Sequence, residues 1–357
     1  MQIIFDPHDS MDVRDYGISL PISFNNARKT MVELMTSAGV SGSAEQLRPS
    51  LLSWYHNQLS PPPTREELAA IHDPGYVGRL LEGGAGLEAE IVRTFELEDE
   101  EGEYHRYAPD EAVKPLSDLF DIILRRGGGV IRAAELAMKT GEAWYFGGGF
   151  HHAHWDYGSG FCMYSDTLVA RRRIAGNGPA PRTLIIDIDA HKGDGTADLV
   201  GRLRQSGDNG VATLSIHMAS GWPLDERRAV PGYSDDPAWI SSDVDVPVER
   251  GQEALYNQKL AAGLRELEEF SARLWSKAKP ELAFVVAGAD PFEEDMLPST
   301  EPLQLNREQM LERNNLVRDF LKARDIPAAW VQAGNYGDNS WKTYVDFLKP
   351  LVIPGEG

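Results

Sequence analysis

Short apolar runs rich in β-branched residues alternate along this chain with longer stretches whose apolar positions recur at helical spacing. The short runs predict strands at 2–5, 143–146, 183–188, 211–216, 282–287 and 328–332. The longer stretches predict helices at 26–37, 129–139, 167–174, 254–277 and 307–323. In the fourth helix Leu260, Leu264, Leu267 and Phe270 share one face with charges between them, and Lys279-Pro280 marks the stop. This alternation points to a three-layer α/β/α fold around a central, mostly parallel, multi-stranded sheet. No repeat or low-complexity linker interrupts it, so residues 1–357 are expected to form one domain.

Composition narrows the possibilities only modestly. Hydrophobic residues make up 42% and charged residues 25%, an ordinary globular balance. The single cysteine, Cys162, excludes an intramolecular disulfide and suits a reducing compartment. The first residues lack a basic stretch followed by a long apolar one, and no apolar run approaches the ~20 residues that span a bilayer. A cytoplasmic protein is expected, with neither membrane nor nucleic acid as a direct partner. The formal charge of −20 repels phosphate backbones and attracts cationic partners, although it also simply aids solubility. The one strong charge run, ELEDEEGE at 96–103, reads as a solvated surface loop.

Four unusual polar clusters sit where predicted strands end, the place where loops converge in an open α/β sheet. They are FGGGFHHAHWDYGSGFC (146–162), DIDAHKGDG (187–195), AGADP (287–291) and AGNYG (333–337). In an extended segment Asp187, Asp189 and His191 would point the same way. Two carboxylates aimed together repel unless a proton or cation lies between them, and an added imidazole suits a borderline metal such as zinc or iron(II). Capping and core hydrogen bonding would use the same residues equally well. Asp290, after an apolar strand and before Pro291, would complete an Asp/His/Asp set that leaves coordination positions open, though Asp-Pro is also a common turn former. His151 and His152 follow three glycines that let the backbone pass close to other groups. An irregular loop can bring both rings to one cavity; a helix would not. Tyr336, flanked by glycines, could equally be an aromatic packed at a loop.

Taken in this order, the clusters resemble the arginase/deacetylase superfamily, and within it histone deacetylases and their bacterial relatives. The segments that carry the resemblance are GGGFHHAHWDYGSGFCMYSD, LIIDIDAHKGDGT, TLSIH, VVAGADPFEEDML and VQAGNYG, with weaker likeness in GISLP and HDPGYVGRL. The wording GGGFHHA…GFC and IDIDAH is most similar to the class IV-like branch. The resemblance implies the arginase/deacetylase fold and a hydrolase that removes an acyl group, acetyl or longer, from an acylated amine such as acyl-lysine. It implies that Asp189, His191 and Asp290 hold the catalytic zinc or iron(II), and that His151 and His152 are the histidine pair, with His152 the general base. Asp187 would orient His151, Asp194 would orient His152, and Tyr336 would donate its hydroxyl to the substrate carbonyl. Asp187 and Ser215 resemble ligands of a structural potassium ion. Gly160, Phe161 and Trp222 resemble the walls of the acyl-chain channel, Leu297 stands at the channel mouth, and Asp110 takes the place of a substrate-anchoring rim acid by position.

The chain departs from the common pattern at Lys192, where many relatives carry a second histidine, and at Ala333-Gly334-Asn335, which replaces a glycine run. Other readings compete. An acetylpolyamine or other small-molecule amide deacetylase would share the machinery, but polyamine-selective relatives place a glutamate where Leu297 stands. An arginase-like ureohydrolase would need further metal-binding aspartates and would leave the histidine pair and Tyr336 unused. A catalytically inert binding protein would not be expected to keep every one of these positions filled.

Overall fold

The computed structural model describes residues 1–9, 11–22, 24–43, 49–99, 101–224 and 240–353. Eight parallel strands form one sheet in the order β2-β1-β3-β8-β7-β4-β5-β6. They are β1 Gln2–Ile4, β2 Tyr55–His56, β3 Glu142–Tyr145, β4 Thr183–Asp187, β5 Val211–Met218, β6 Val244–Val248, β7 Leu282–Val286 and β8 Ala328–Val331. Helices connect them on both faces: α1 Asn25–Ser37, α2 Arg65–Ala69, α3 Pro74–Glu82, α4 Gly84–Thr94, α5 Asp118–Thr140, α6 Asp166–Ala175, α7 Asp194–Gln205, α8 Tyr256–Leu274, α9 Arg307–Lys322 and α10 Trp341–Val352.

Alternation along the central strands divides the core in two. Leu184 and Ile186 of β4 and Trp330 of β8 pack with α1, α8, α9 and α10, through residues such as Met31, Leu264, Val317 and Phe347. Their neighbours Ile185, Ala329 and Val331 face the opposite way, onto α3 to α7 through Val77, Ile91, Ile131, Leu168 and Leu199. Both faces of the sheet are therefore dry, which is why these strands read as near-continuous apolar runs. The result is the α/β/α layering expected of the arginase/deacetylase fold.

Several boundaries differ from expectation for local reasons. Helix α5 begins eleven residues before 129. Its Gly127, Gly128 and Gly129 are close-packing positions: a Cβ there would lie 2.1 Å from Tyr164 Oη, 2.2 Å from the Ser60 carbonyl oxygen and 2.0 Å from the Tyr145 ring. Helix α8 stops at Leu274, ahead of the proline, because Ser276 and Lys277 take left-handed φ values of 50° and 67°. Strand β4 ends at Asp187, and residues 188–191 are irregular. Strands β2 and β6 and helices α2, α3, α4, α7 and α10 were not foreseen.

Candidate metal centre and cavity

The four polar clusters follow β3, β4, β7 and β8, and these four strands are adjacent in the sheet. Their carboxyl ends thus deliver all four loops to one edge, around a cavity of about 570 Å³. Asp189 and His191 come from the irregular turn after β4. There the Asp187 Oδ1 atom accepts the Asp189 amide at 3.1 Å, and Asp189 Oδ1 accepts the His191 amide at 3.0 Å. Each carboxylate shapes the turn that presents the next side chain, in place of a continued strand. Asp290 enters from the loop after β7, and its Oδ1 accepts the Ala190 amide at 3.1 Å.

Ligand atoms of Asp189, His191 and Asp290 lie within 4.8 Å of one another, and all three residues are buried. His191 Nδ1 stands 3.3 Å from Asp189 Oδ1 and 3.1 Å from Asp290 Oδ2. Its Nε2 lies 3.0 Å from Ser299 Oγ, so both ring nitrogens have polar partners. Such a cluster demands positive charge. Burial, then the neighbouring Asp189, pushes the Asp290 carboxyl up to about 7. Burial would strip His191 of its proton, but hydrogen bonds to Asp189 and Asp290 outweigh it and raise its pKa to about 10. A divalent ion satisfies the same demand with three buried oxygen and nitrogen donors, so the residues present fit one.

Two glycines make room for this set. A Cβ on Gly288 would lie 2.3 Å from Asp189 Oδ2, and one on Gly334 would lie 2.5 Å from Asp290 Cγ and Oδ2. Gly334 also donates its amide to Asp189 Oδ2 at 3.0 Å, tying the β8 loop to the β4 turn.

His151 and His152 reach the cavity from the glycine loop after β3, where Gly148 and Gly149 take φ values of 81° and 76°. Such left-handed backbone strongly favours glycine. The N-terminus of α7 clamps this loop: the Thr196 amide donates to the His151 carbonyl at 2.9 Å. The imidazoles lie 3.8 Å apart, with His151 Nδ1 2.7 Å from Asp187 Oδ2 and His152 Nδ1 2.7 Å from Asp194 Oδ1. Burial opposes charge on both rings. Asp187 and Asp189 outweigh it at His151, raising its pKa to about 9, whereas burial and the charge on His151 together push His152 down to about 3. His152 is thereby held neutral, with its Nδ1 against the Asp194 carboxylate.

Gly160, Phe161, Trp222, Leu297 and Tyr336 all line the cavity. The Trp222 ring lies 4.5 Å from His152 and 5.4 Å from His191, and Phe161 and Tyr336 stand 6.3 Å apart, centroid to centroid. Tyr336 is half-buried, its amide donating to Asp295 Oδ2 at 2.9 Å. Burial, with Asp290 and Asp189 nearby, holds its phenol well above the usual range and so protonated. Asn335 is buried and accepts from Asn26 Nδ2 at 2.8 Å. Lys192, also buried, pairs with Asp245 at 2.6 Å. Ser215 lies opposite Asp187 in the β4–β5 register, its Oγ accepting the Gly193 amide at 3.2 Å.

Asp110 is not brought to this cavity. It is exposed on the 3₁₀ turn Pro109–Glu111, in a segment anchored by Ala108 and Val113 to the carbonyls of Gly17 and Asp15. Instead the cavity lining includes Glu96, the first residue of the charge run, with Arg106 3.3 Å from its carboxylate. That run is therefore not wholly a solvated loop. Ser299, Asp295 and Arg126, the last held by Asp9 at 2.8 and 3.2 Å, were also missed. Ser299 and Arg126 come from a loop and a helix outside the quoted motifs, whereas Asp295 lies within VVAGADPFEEDML.

Among the described residues no helix is long and apolar enough to cross a membrane. The histone deacetylase domain model matches residues 24–348. An uncharacterized protein of Picosynechococcus sp. is 32% identical over 286 residues, 80% of this chain and 79% of that protein. Histone deacetylase 2 of Arabidopsis thaliana is 29% identical over 234 residues, 64% of this chain and 53% of that one, so this chain spans about half of that relative. In fold, the chain is similar to an acetylpolyamine aminohydrolase from Burkholderia pseudomallei, with a TM-score of 0.63, 17% identity and 99% of each chain covered. The match to the domain model extends over all four clusters that meet at the cavity, and the chain belongs to the histone deacetylase family.

Proposed function

We propose that this chain is a metal-dependent amidohydrolase that removes an acyl group from an acylated amine, with acyl-lysine the substrate class its cavity suits best. The observation that carries the reading is the convergence of Asp189, His191 and Asp290 on one point beside the His151–His152 pair. A zinc or iron(II) ion held there supplies Lewis acidity toward the amide carbonyl and lowers the pKa of water. His152 Nε2 takes a proton from the attacking water and returns one to the departing amine, with Asp194 fixing its ring. His151, kept cationic by Asp187 and Asp189, supplies positive charge beside the reacting carbon. The Tyr336 phenol donates to the carbonyl oxygen as negative charge develops on it, a contribution worth about 3–4 kcal/mol for a single such donor. Phe161, Gly160 and Trp222 enclose the acyl-bearing stem and exclude water, strengthening these contacts.

The oxygens of Asp187 and Ser215 are assigned to a structural potassium ion. A polyamine substrate is the second reading, supported by the fold likeness to an acetylpolyamine aminohydrolase. Two features weigh against it: Leu297 is apolar, and the Glu96 carboxylate is already partnered by Arg106. A panel of acyl-lysine peptides and acyl-polyamines, assayed with and without chelator, tests the proposal. Chelator-sensitive release of acid from acyl-lysine is expected. Turnover confined to polyamines would transfer the assignment to the second reading, and no turnover on any amide would defeat both.

A further inference from the structure

The buried hydrogen-bond chain behind His152 continues past Asp194. Asp194 Oδ1 faces His152 Nδ1 at 2.7 Å, while its Oδ2 faces His154 Nε2 at 3.3 Å. The other nitrogen of that ring, His154 Nδ1, lies 3.3 Å from Asp198 Oδ2, and Arg202 Nε donates to Asp198 Oδ1 at 2.9 Å. His154 is 5% exposed, and Asp194 and Asp198 are each 8% exposed. A neutral imidazole owns one N–H, so it would donate to one carboxylate and turn a lone pair on the other. An imidazolium donates to both. Stacking on Tyr157, at 4.5 Å and 11° between planes, holds the ring edge toward the two aspartates. Two buried carboxylates thus have two cations, His154 and Arg202, and His152 is left with no charge to balance.

We propose that His154, held as an imidazolium between Asp194 and Asp198, is a positioning residue for His152. It fixes the Asp194 carboxylate, so that His152 keeps its Nδ1–H directed backward and its Nε2 bare toward the cavity. The inference rests on the reading of His152 as general base. The groups around the ring are Asp194 and Asp198 on α7 with Arg202 behind them, Tyr157 on its face, Arg93 over the Tyr157 ring at 5.7 Å, and His72, whose Nδ1 lies 2.8 Å from the His154 carbonyl. Burial lowers the basicity of His154, but hydrogen bonds to Asp194 and Asp198 prevail and raise its pKa to about 9. Above that pH the ring gives up one N–H and one of the two carboxylates loses its donor.

The test compares His154→Gln, which is neutral, with His154→Lys, which restores a cation able to reach both carboxylates. His154→Gln is expected to lower kcat by about 10- to 100-fold, the usual cost of losing a partner behind a reactive histidine, with KM and metal content unchanged. His154→Lys is expected to recover most of kcat and to move the alkaline limb of the pH profile upward by about one unit, since lysine titrates near ~10.4. Nitrogen-15 spectra of histidine-labelled protein should show both ring nitrogens of His154 protonated at neutral pH. Wild-type kcat in His154→Gln, equal loss in both variants with metal retained, or a neutral His154 in the spectrum would each overturn the inference. His152→Ala separates the two levels. Turnover surviving in that variant defeats the general-base reading itself, whereas an inactive His152→Ala beside a fully active His154→Gln defeats only the role given to His154.

Discussion

Gly334→Ala is the sharpest structural perturbation available at the metal centre. The added Cβ would lie 2.5 Å from Asp290 Cγ and Oδ2 and 2.9 Å from Asp189 Oδ2. To regain ordinary contact, Asp290 must retreat by roughly 0.9 Å, because non-bonded atoms settle at about 3.4 Å or beyond. The backbone cannot easily yield instead, since the Gly334 amide donates to Asp189 Oδ2 at 3.0 Å and its carbonyl accepts the Ala289 amide at 2.6 Å. Metal–ligand distances tolerate about 0.2 Å, so the displacement is several times what the site can absorb. Misplacement of a reacting group by about 1 Å costs on the order of 10²-fold in rate. The variant is therefore expected to lose bound metal and at least about 10²-fold in kcat/KM, measured by elemental analysis and acyl-lysine turnover on the same sample. Gly201→Ala is the control: it lies within α7 with nothing inside 4 Å of the new carbon. That change should leave turnover alone and add up to about 1 kcal/mol of stability, because glycine is a poor helix former. A Gly334→Ala protein with full metal and wild-type turnover would refute the reasoning.

Tyr336→Phe should lower kcat by about 10²-fold or more while leaving metal content intact, as loss of a transition-state donor requires; equal turnover would remove the phenol from the mechanism. His72 gives a pH signature in stability. It is fully buried, lies 2.8 Å from the His154 carbonyl through Nδ1 and accepts the Ser165 amide at 2.9 Å through Nε2, and burial lowers its pKa to about 4. The unfolded chain takes up this proton near pH 6.5 and the folded chain only near 4, so stability falls as pH drops through that window, by roughly 3 kcal/mol in all. Urea unfolding of wild type and His72→Gln at pH 7 and 4.5 should show a smaller acid loss in the variant, and parallel losses would contradict the assignment.

Much of this was legible because burial leaves a plain mark on composition. The apolar runs at β4, β7 and β8 had no polar face to disguise them, and the polar clusters at their ends stood out against them. Asp189, His191 and Asp290 were readable as a set because each lies just past an apolar strand within a segment that carries the family resemblance, and the adjacency of β4 and β7 brings them together. Other features left weaker marks. Strand β6 carries Asp245 and Pro247, which an edge strand tolerates and a central one does not. Strand β2 is only two residues long. The start of α7 was hidden within DGTADL, where Asp194 serves the histidine pair and the first helical turn together. Helix α10 contains Pro350 near its end. At the site, Ser299 and the Glu96–Arg106 pair depend on where loops return, which no local spacing encodes; Asp295 lay inside VVAGADPFEEDML, but its meaning required the Tyr336 amide it accepts from. His154 lay in plain view within the quoted motif, but its meaning required Asp198, one helical turn beyond Asp194.

The measurement that bears most directly on the central claim is titration of metal-free protein with zinc or iron(II), following bound metal and acyl-lysine hydrolysis together in wild type and Asp290→Ala. One ion per chain should restore turnover in wild type, in proportion to occupancy, while Asp290→Ala binds weakly and remains inactive. Hydrolysis by the metal-free protein, or stoichiometric binding undiminished in Asp290→Ala, would contradict an Asp189–His191–Asp290 metal centre.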